Sequence, residues 1–150
     1  MMKTDYLFSL TSDRRMLSGL LLGLRLSFGI LLFLHGWGKL MNFHSMADTF
    51  PDPLGWGSQV SLMLVVLTEC VCSLAFIAGY FFRWALLPMI FTMGVAFFSA
   101  HGARIPEGEL ALLYFLVFSM LLLTGPGHFS VEAMLYRYKH RDLYEERKAL

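Results

Sequence analysis

The chain has 150 residues, of which 57% are hydrophobic and 15% are charged, and its formal net charge is +1. Soluble domains usually carry about 25% charged residues, so this composition, with a mean hydropathy of +0.59, excludes a soluble domain. We expect one all-α integral membrane domain over residues 1–150, in contact with a lipid bilayer. The sequence shows no phosphate-binding loop, serine triad or basic nucleic-acid patch, so no nucleic-acid partner is expected.

The first apolar segment covers residues 17–40 and contains an arginine, Arg25. As a helix it would be about 36 Å long, enough to cross a hydrocarbon core about 30 Å thick. We expect it to remain as a membrane anchor, because it is too long for the apolar part of a signal peptide. Three glycines, Gly29, Gly36 and Gly38, predict the close approach of another helix.

Three further apolar segments follow, and they complete a predicted bundle of four transmembrane helices. We place the spans at residues 17–40, 60–79, 84–101 and 110–124. Residues 41–58 contain two prolines and two glycines, which forbid a continuous helix and predict an interfacial cap. The fourth span is short for a bilayer, so we expect it to extend into its ends or to lie where the membrane is thinned.

The last segment, residues 130–150, is predicted to begin as an amphipathic helix on the membrane surface. Ser130 is a suitable N-cap, and the apolar residues that follow recur at helical spacing: Val131, Met134, Leu135 and Tyr138. Nearby basic residues favour an anionic lipid surface. A basic tail exposed to solvent is the alternative, because the last residues lose the apolar period.

Basic residues are distributed unequally between the two sides that four spans create. One side holds Lys3, Arg14, Arg15, Arg83, Arg137, Lys139, Arg141, Arg147 and Lys148, and the other holds Lys39 and Arg104. Loops rich in lysine and arginine generally stay in the cytoplasm. The sequence therefore predicts that both termini are cytoplasmic.

Two opposite charges are predicted at similar depths in the membrane. Arg25 is about 12 Å from the cytoplasmic end of the first span, and Glu69 is about 15 Å from the same end of the second. An arginine at mid-membrane costs about 2.5–3.5 kcal/mol on insertion scales, so it should face protein or water. We therefore predict an Arg25–Glu69 ion pair, with a catalytic or proton-relay role for both residues. A purely structural clamp between helices is the alternative.

Further polar residues follow toward the outer half of the spans. Together with Arg25 and Glu69, the predicted ligand-binding residues are His35, Lys39, His101 and Tyr114. They would line a polar pocket for a small polar or amphipathic ligand, or a proton relay. The alternatives are that His35 bonds a neighbouring carbonyl and that Lys39 reaches the outer headgroups. His101 with Glu107 or Glu109 is too scattered a set to predict a metal site.

The sequence RLSFGILLFLHGWGKL, residues 25–40, resembles the opening helix of DoxX-type membrane proteins. The resemblance continues through FPDPLG at 50–55, Glu69, and GPGHFSVE at 125–132, and covers about residues 15–135. Glu132 stands where the family usually has aspartate, a change that preserves the capping chemistry. The resemblance implies a compact four-helix protein of the bacterial inner membrane, related to subunits of thiosulfate:quinone oxidoreductase.

Two classes of function fit the sequence, and a small transporter is a third alternative. The first is a redox-linked subunit of a quinone-linked oxidoreductase, which binds a quinone or similar amphipathic ligand and receives electrons from a partner protein or a soluble reductant. The second is a non-catalytic anchor or assembly module, which recruits a soluble enzyme through Arg83 and residues 129–150. The third is a small transporter, which would require a homo-oligomer because four spans are few.

Overall fold

The structure, a computed structural model, describes residues 14–100 and 102–140. Four of its helices are long and apolar enough to cross a membrane: α1 Arg14–Met41, α2 Ser58–Ala78, α3 Phe82–Ala100 and α4 Ile105–Thr124. A fifth helix, α5, is short and covers Val131–Lys139. All regular structure within the described residues is helical, which confirms the predicted all-α membrane architecture.

The predicted spans agree with the observed helices except at the start of the fourth. That helix begins at Ile105 and not at residue 110, so it has 20 residues and needs no thinned membrane. Pro106 lies in its first turn, where the missing amide donor is tolerated, and Glu107 lies there too. The predicted span starts only at residue 110 because the polar residues of this turn interrupt the hydropathy.

Each helix packs against the next in the chain: α1 against α2, α2 against α3, and α3 against α4. α1 also meets α4, where the ring of Phe28 contacts Tyr114 edge-on at a centroid distance of 5.6 Å. The core is aromatic, because Phe76 stacks on Phe82 at 5.4 Å and meets Phe118 at 5.3 Å. Most other large apolar side chains point outward, as expected for helices that face lipid.

α1 and α2 approach closely at two of the three predicted glycines. A Cβ added at Gly36 would lie 2.6 Å from the Cβ of Glu69 and 2.9 Å from the Sγ of Cys70. A Cβ added at Gly29 would lie 3.1 Å from the Phe76 ring. The prediction is wrong for Gly38, which has no such neighbour within 4 Å. These contacts place Gly36 opposite Glu69 in the antiparallel pair.

We distinguish the two ends of the bundle by their charged residues. The Arg25 end holds Arg25, the α2–α3 turn and residues 125–130. The Lys39 end holds Lys39, residues 42–57 and the α3–α4 turn. Residues 42–57 include one short helical turn, Phe43–Met46, but no continuous helix, as their prolines predict.

Both α2 and α3 contain a wide helical turn with π geometry. One covers Thr68–Cys72 and the other covers Ala96–Ala100. The hydroxyl of Ser73 donates to the carbonyl of Glu69 at 2.6 Å, so this buried serine satisfies an acceptor of the widened turn. Single π turns within α-helices often occur at functional sites, and the first of these carries Glu69.

The chain after α4 folds back onto the start of α1. The backbone N–H of His128 donates to the hydroxyl of Ser18 at 3.3 Å. Ser130 then caps α5, accepting the N–H of Ala133 at 3.1 Å, which confirms the predicted N-cap. Of the predicted 130–150 segment, residues 141–150 lie outside the described residues.

Candidate functional site

The buried carboxylate of Glu69 forms an ion pair with Lys39. Both carboxylate oxygens of Glu69 lie 2.5 Å from the Nζ of Lys39. The carboxylate is almost fully buried, whereas about a quarter of the Lys39 side chain remains accessible. The pair joins the end of α1 to the wide turn of α2. It therefore places one buried and one reachable charged group side by side within the membrane spans.

The predicted Arg25–Glu69 pair is wrong. The two depths were counted from the end of each residue's own helix. They can be compared only if α1 and α2 end at the same level in the membrane. They do not, because a Cβ added at Gly79, just after α2, would lie 2.7 Å from the Cζ of Arg25. α2 thus ends beside Arg25, and α1 continues beyond it. Glu69 lies opposite Gly36 instead, within reach of Lys39.

Arg25 is satisfied by backbone carbonyls. Its Nε donates to Phe76 at 3.1 Å and its Nη2 to Ile77 at 2.6 Å, both in the last turn of α2. Its Nη1 donates to Pro126 and to Phe129 at 2.9 Å each. The C-terminal turn of a helix attracts a cation because its carbonyls lack helical partners. The residue is only 1% exposed, and through these hydrogen bonds Arg25 ties α1 to α2 and to residues 126–129.

A cavity of about 490 Å³ opens next to the Lys39–Glu69 pair. It lies between α2, α3 and residues 50–56, and the wide turn of α3 contributes Ala96 and Ala100 to its wall. Large apolar side chains form most of the remaining wall, among them Phe50, Trp56 and Phe91. The cavity thus combines apolar walls with one charged pair.

The loop that borders the cavity is held by Asp52. Its carboxylate accepts the hydroxyl of Ser61 and the N–H of Gly57 at 2.7 Å each, and the N–H of Trp56 at 3.0 Å. These hydrogen bonds, that from Ser61 first, lower the pKa of Asp52 below its ordinary value. Gly57 has φ +99°, a conformation that favours glycine. The loop is therefore fastened to the first turn of α2.

Two other predicted ligand-binding residues, His35 and Tyr114, do not line this cavity. His35 is exposed on α1, one turn before Lys39 and on the same face. Tyr114 is buried in the aromatic core, 5.4 Å from the Phe118 ring, and does not line the cavity. His101 lies outside the described residues. No group of three residues able to hold a metal occurs in residues 14–100 and 102–140.

Sequence reasoning missed most of the cavity wall. Phe50, Leu54 and Trp56 belong to the interfacial cap predicted at residues 41–58 and were not assigned to a site, and Phe91 and Thr92 were not singled out. The available signal was the run of prolines and glycines between two spans, because such a loop cannot stay extended in lipid and must fold onto a helix. Glu107 was also considered for a site, but it is exposed and pairs with Arg104 at 2.8 Å.

The model of one protein family matches this chain. The family is DoxX, and the match covers residues 20–102, more than half of the chain. The chain belongs to the DoxX family. The match includes Arg25, Lys39, Glu69 and every part of the cavity wall named above, whereas α4 and α5 follow it in the sequence. No curated protein and no solved structure gave a significant match to this DoxX protein.

Proposed function

We propose that this DoxX protein binds a small amphipathic molecule in the cavity beside Lys39 and Glu69, and that a quinone is the best chemical match. The observation that carries the proposal is the buried ion pair at the wall of an otherwise apolar cavity. Charged residues within membrane spans are costly and usually mark ligand or proton pathways. Arg25 has an evident structural role, so among the described residues the buried charge that remains to serve a ligand is that of the Lys39–Glu69 pair.

The cavity suits a quinone head group in size and chemistry. Its volume of about 490 Å³ is within the usual range of small-molecule pockets. The ammonium of Lys39 can donate a hydrogen bond to a quinone carbonyl, and the rings of Phe50, Trp56 and Phe91 offer apolar contact. Glu69 can exchange a proton with Lys39 or with the bound ligand.

Beyond ligand binding, we propose a role in quinone reduction. Quinone reduction consumes electrons and protons together, and we assign only the proton side to this chain, through Lys39 and Glu69. The electrons would come from a partner protein or a soluble reductant. The DoxX protein would then be the quinone-binding subunit of an oxidoreductase, with the partner supplying its redox centre.

We also propose that the protein resides in a bacterial inner membrane with the Arg25 end in the cytoplasm. The distribution of basic residues supports this orientation, since Arg15, Arg83, Arg137 and Lys139 all belong to the Arg25 end. The cavity lies toward the Lys39 end and would open in the outer half of the membrane. A quinone could enter it laterally from the bilayer, between α2 and α3.

The test is a quinone titration of protein purified in mild detergent. We expect saturable binding near one quinone per chain, and at least about a tenfold loss of affinity, or about 1.4 kcal/mol, in Glu69→Gln and in Lys39→Gln. Glu109→Gln is the matched control, because Glu109 is an exposed carboxylate that does not line the cavity. The double variant Lys39→Gln/Glu69→Gln removes the ion pair without leaving either charge unpaired.

The absence of saturable binding in the wild type, or equal affinity in all variants, would contradict the proposal. The non-catalytic anchor would then become the better description. It predicts that Glu69→Gln has no effect, whereas removal of residues 137–150 releases a soluble partner.

A further inference from the structure

α5 carries an apolar face that the rest of the described structure does not cover. Val131, Met134, Leu135 and Tyr138 fall within an arc of about 100° of the helix. Met134, Leu135 and Tyr138 are exposed, Tyr138 to 79%. Single exposed apolar residues are normal, but a contiguous exposed face marks an interaction surface.

Basic residues flank this face on both sides. Arg137 lies about 60° from Met134 on one side, and Lys139 lies about 40° from Leu135 on the other. Arg137 donates to the carbonyls of Ala133 at 3.2 Å and His128 at 3.3 Å, yet the residue stays exposed. Such an apolar stripe between basic margins is typical of helices that lie in an anionic membrane interface.

The position of α5 relative to the bundle is fixed by hydrogen bonds. The N–H of Glu132 donates to the carbonyl of Gly79 at 3.1 Å, so α5 begins level with the α2–α3 turn. Arg25 holds the preceding carbonyls of Pro126 and Phe129. The first turn of α5 is therefore anchored at the Arg25 end of the bundle.

Exposed aromatic side chains surround the Arg25 end at this level. Tyr80, Phe81 and Trp84 belong to the α2–α3 turn and the first turn of α3, and Phe129 comes just before α5. Trp84 is 72% exposed. Tryptophan and tyrosine collect where lipid headgroups meet the hydrocarbon. These residues mark the membrane interface on the bundle, and the apolar face of α5 continues that surface.

We propose that α5 lies in the membrane interface, with its apolar face against the acyl chains and with Arg137 and Lys139 on the phosphates of anionic lipids. The occupant of the uncovered face is thus the bilayer itself. This role is independent of any quinone in the cavity.

The test measures the depth of α5 with tryptophan probes in nanodiscs that contain brominated lipid. Trp37, Trp56 and Trp84 are first replaced by Phe, a change that these exposed residues should tolerate. We expect the probe in Tyr138→Trp to be quenched several-fold more than the probe in Tyr136→Trp. The two positions are matched tyrosines, but Tyr136 lies on the opposite side of α5 and packs against His140 at a centroid distance of 4.6 Å.

Met134→Trp is a second probe of the same face, in case Tyr138→Trp disturbs the helix. Equal quenching at all three positions, or none at any, would overturn the proposal and leave the face for a protein partner.

The role of the basic residues is tested by varying the share of phosphatidylglycerol in phosphatidylcholine nanodiscs. We expect quenching at residue 138 to rise with phosphatidylglycerol and to rise less in Lys139→Gln. No dependence on lipid charge would overturn the assignment of the basic residues to anionic headgroups.

Discussion

At the scale of single residues, Arg25 and Glu69 are both buried in this DoxX protein, but their charges are satisfied in different ways. Both residues are buried, so each charge needs a partner within the protein. Glu69 takes Lys39 as a counter-ion, whereas Arg25 takes four carbonyls from α2 and the segment after α4. The first arrangement keeps an accessible charge beside a cavity, and the second closes off a charge completely. Their functions should therefore separate on mutation.

Arg25→Gln should destabilise the protein strongly. A glutamine amide cannot reach four carbonyls, and a buried carbonyl left without a donor typically costs about 1–3 kcal/mol. Arg25→Lys should rescue it only in part, since an ammonium lacks the planar fork. The measurement is the thermal unfolding midpoint in detergent. Arg104→Gln is the control, because the Arg104–Glu107 pair is exposed and should change stability by less than about 1 kcal/mol. Similar midpoints for Arg25→Gln and Arg104→Gln would refute the structural role of Arg25.

At the scale of helices, the close contact of α1 with α2 decides which side chains meet. Gly36 lets the backbone of α1 reach Glu69, and this contact brings Lys39, less than one turn later, to the carboxylate. The wide turn at Thr68–Cys72 shifts the face that α2 presents around Glu69. The ion pair is therefore a product of helix packing as much as of the two charged residues.

Gly36→Ala should separate the two helices. Its Cβ would lie 2.9 Å from the carbonyl carbon of Glu69, and a backbone atom cannot move aside as a side chain can. We expect a loss of about 1–3 kcal/mol in stability, together with weaker quinone binding through displacement of Glu69. Gly38→Ala is the control, because no such neighbour lies within 4 Å and alanine favours a helix. The measurement is the thermal unfolding midpoint of each variant. Equal midpoints for Gly36→Ala and Gly38→Ala would show that Gly36 is not a packing contact.

At the scale of the whole molecule, the bundle has two unlike ends. At the Arg25 end, the guanidinium of Arg25 ties α2 to the chain after α4, while the Lys39 end carries the cavity and its loop. A protein with this asymmetry should have one fixed orientation in the membrane. The excess of basic residues at the Arg25 end favours the cytoplasm for that end.

Orientation can be tested with one cysteine at each end, in a background in which Cys70 and Cys72 are alanine. Ser45→Cys reports the Lys39 end and Glu132→Cys reports the Arg25 end, and both positions are exposed. We expect an impermeant maleimide to label Ser45→Cys in right-side-out vesicles and Glu132→Cys in inverted ones. The reverse pattern, or labelling of both from one side, would contradict the proposed topology.

The sequence alone determined the architecture, because hydropathy, prolines and caps act within a single segment. The four spans, the interruption at residues 42–57 and the Ser130 cap could all be recognised without knowing how the helices pack. It also indicated that Arg25 and Glu69 need partners in protein. The tertiary structure decided which partners they have, since the register of α1 against α2 depends on contacts at Gly29 and Gly36 and not on where each helix ends. For the same reason the cavity wall, which draws on two helices and a loop, could be described only from the packed bundle.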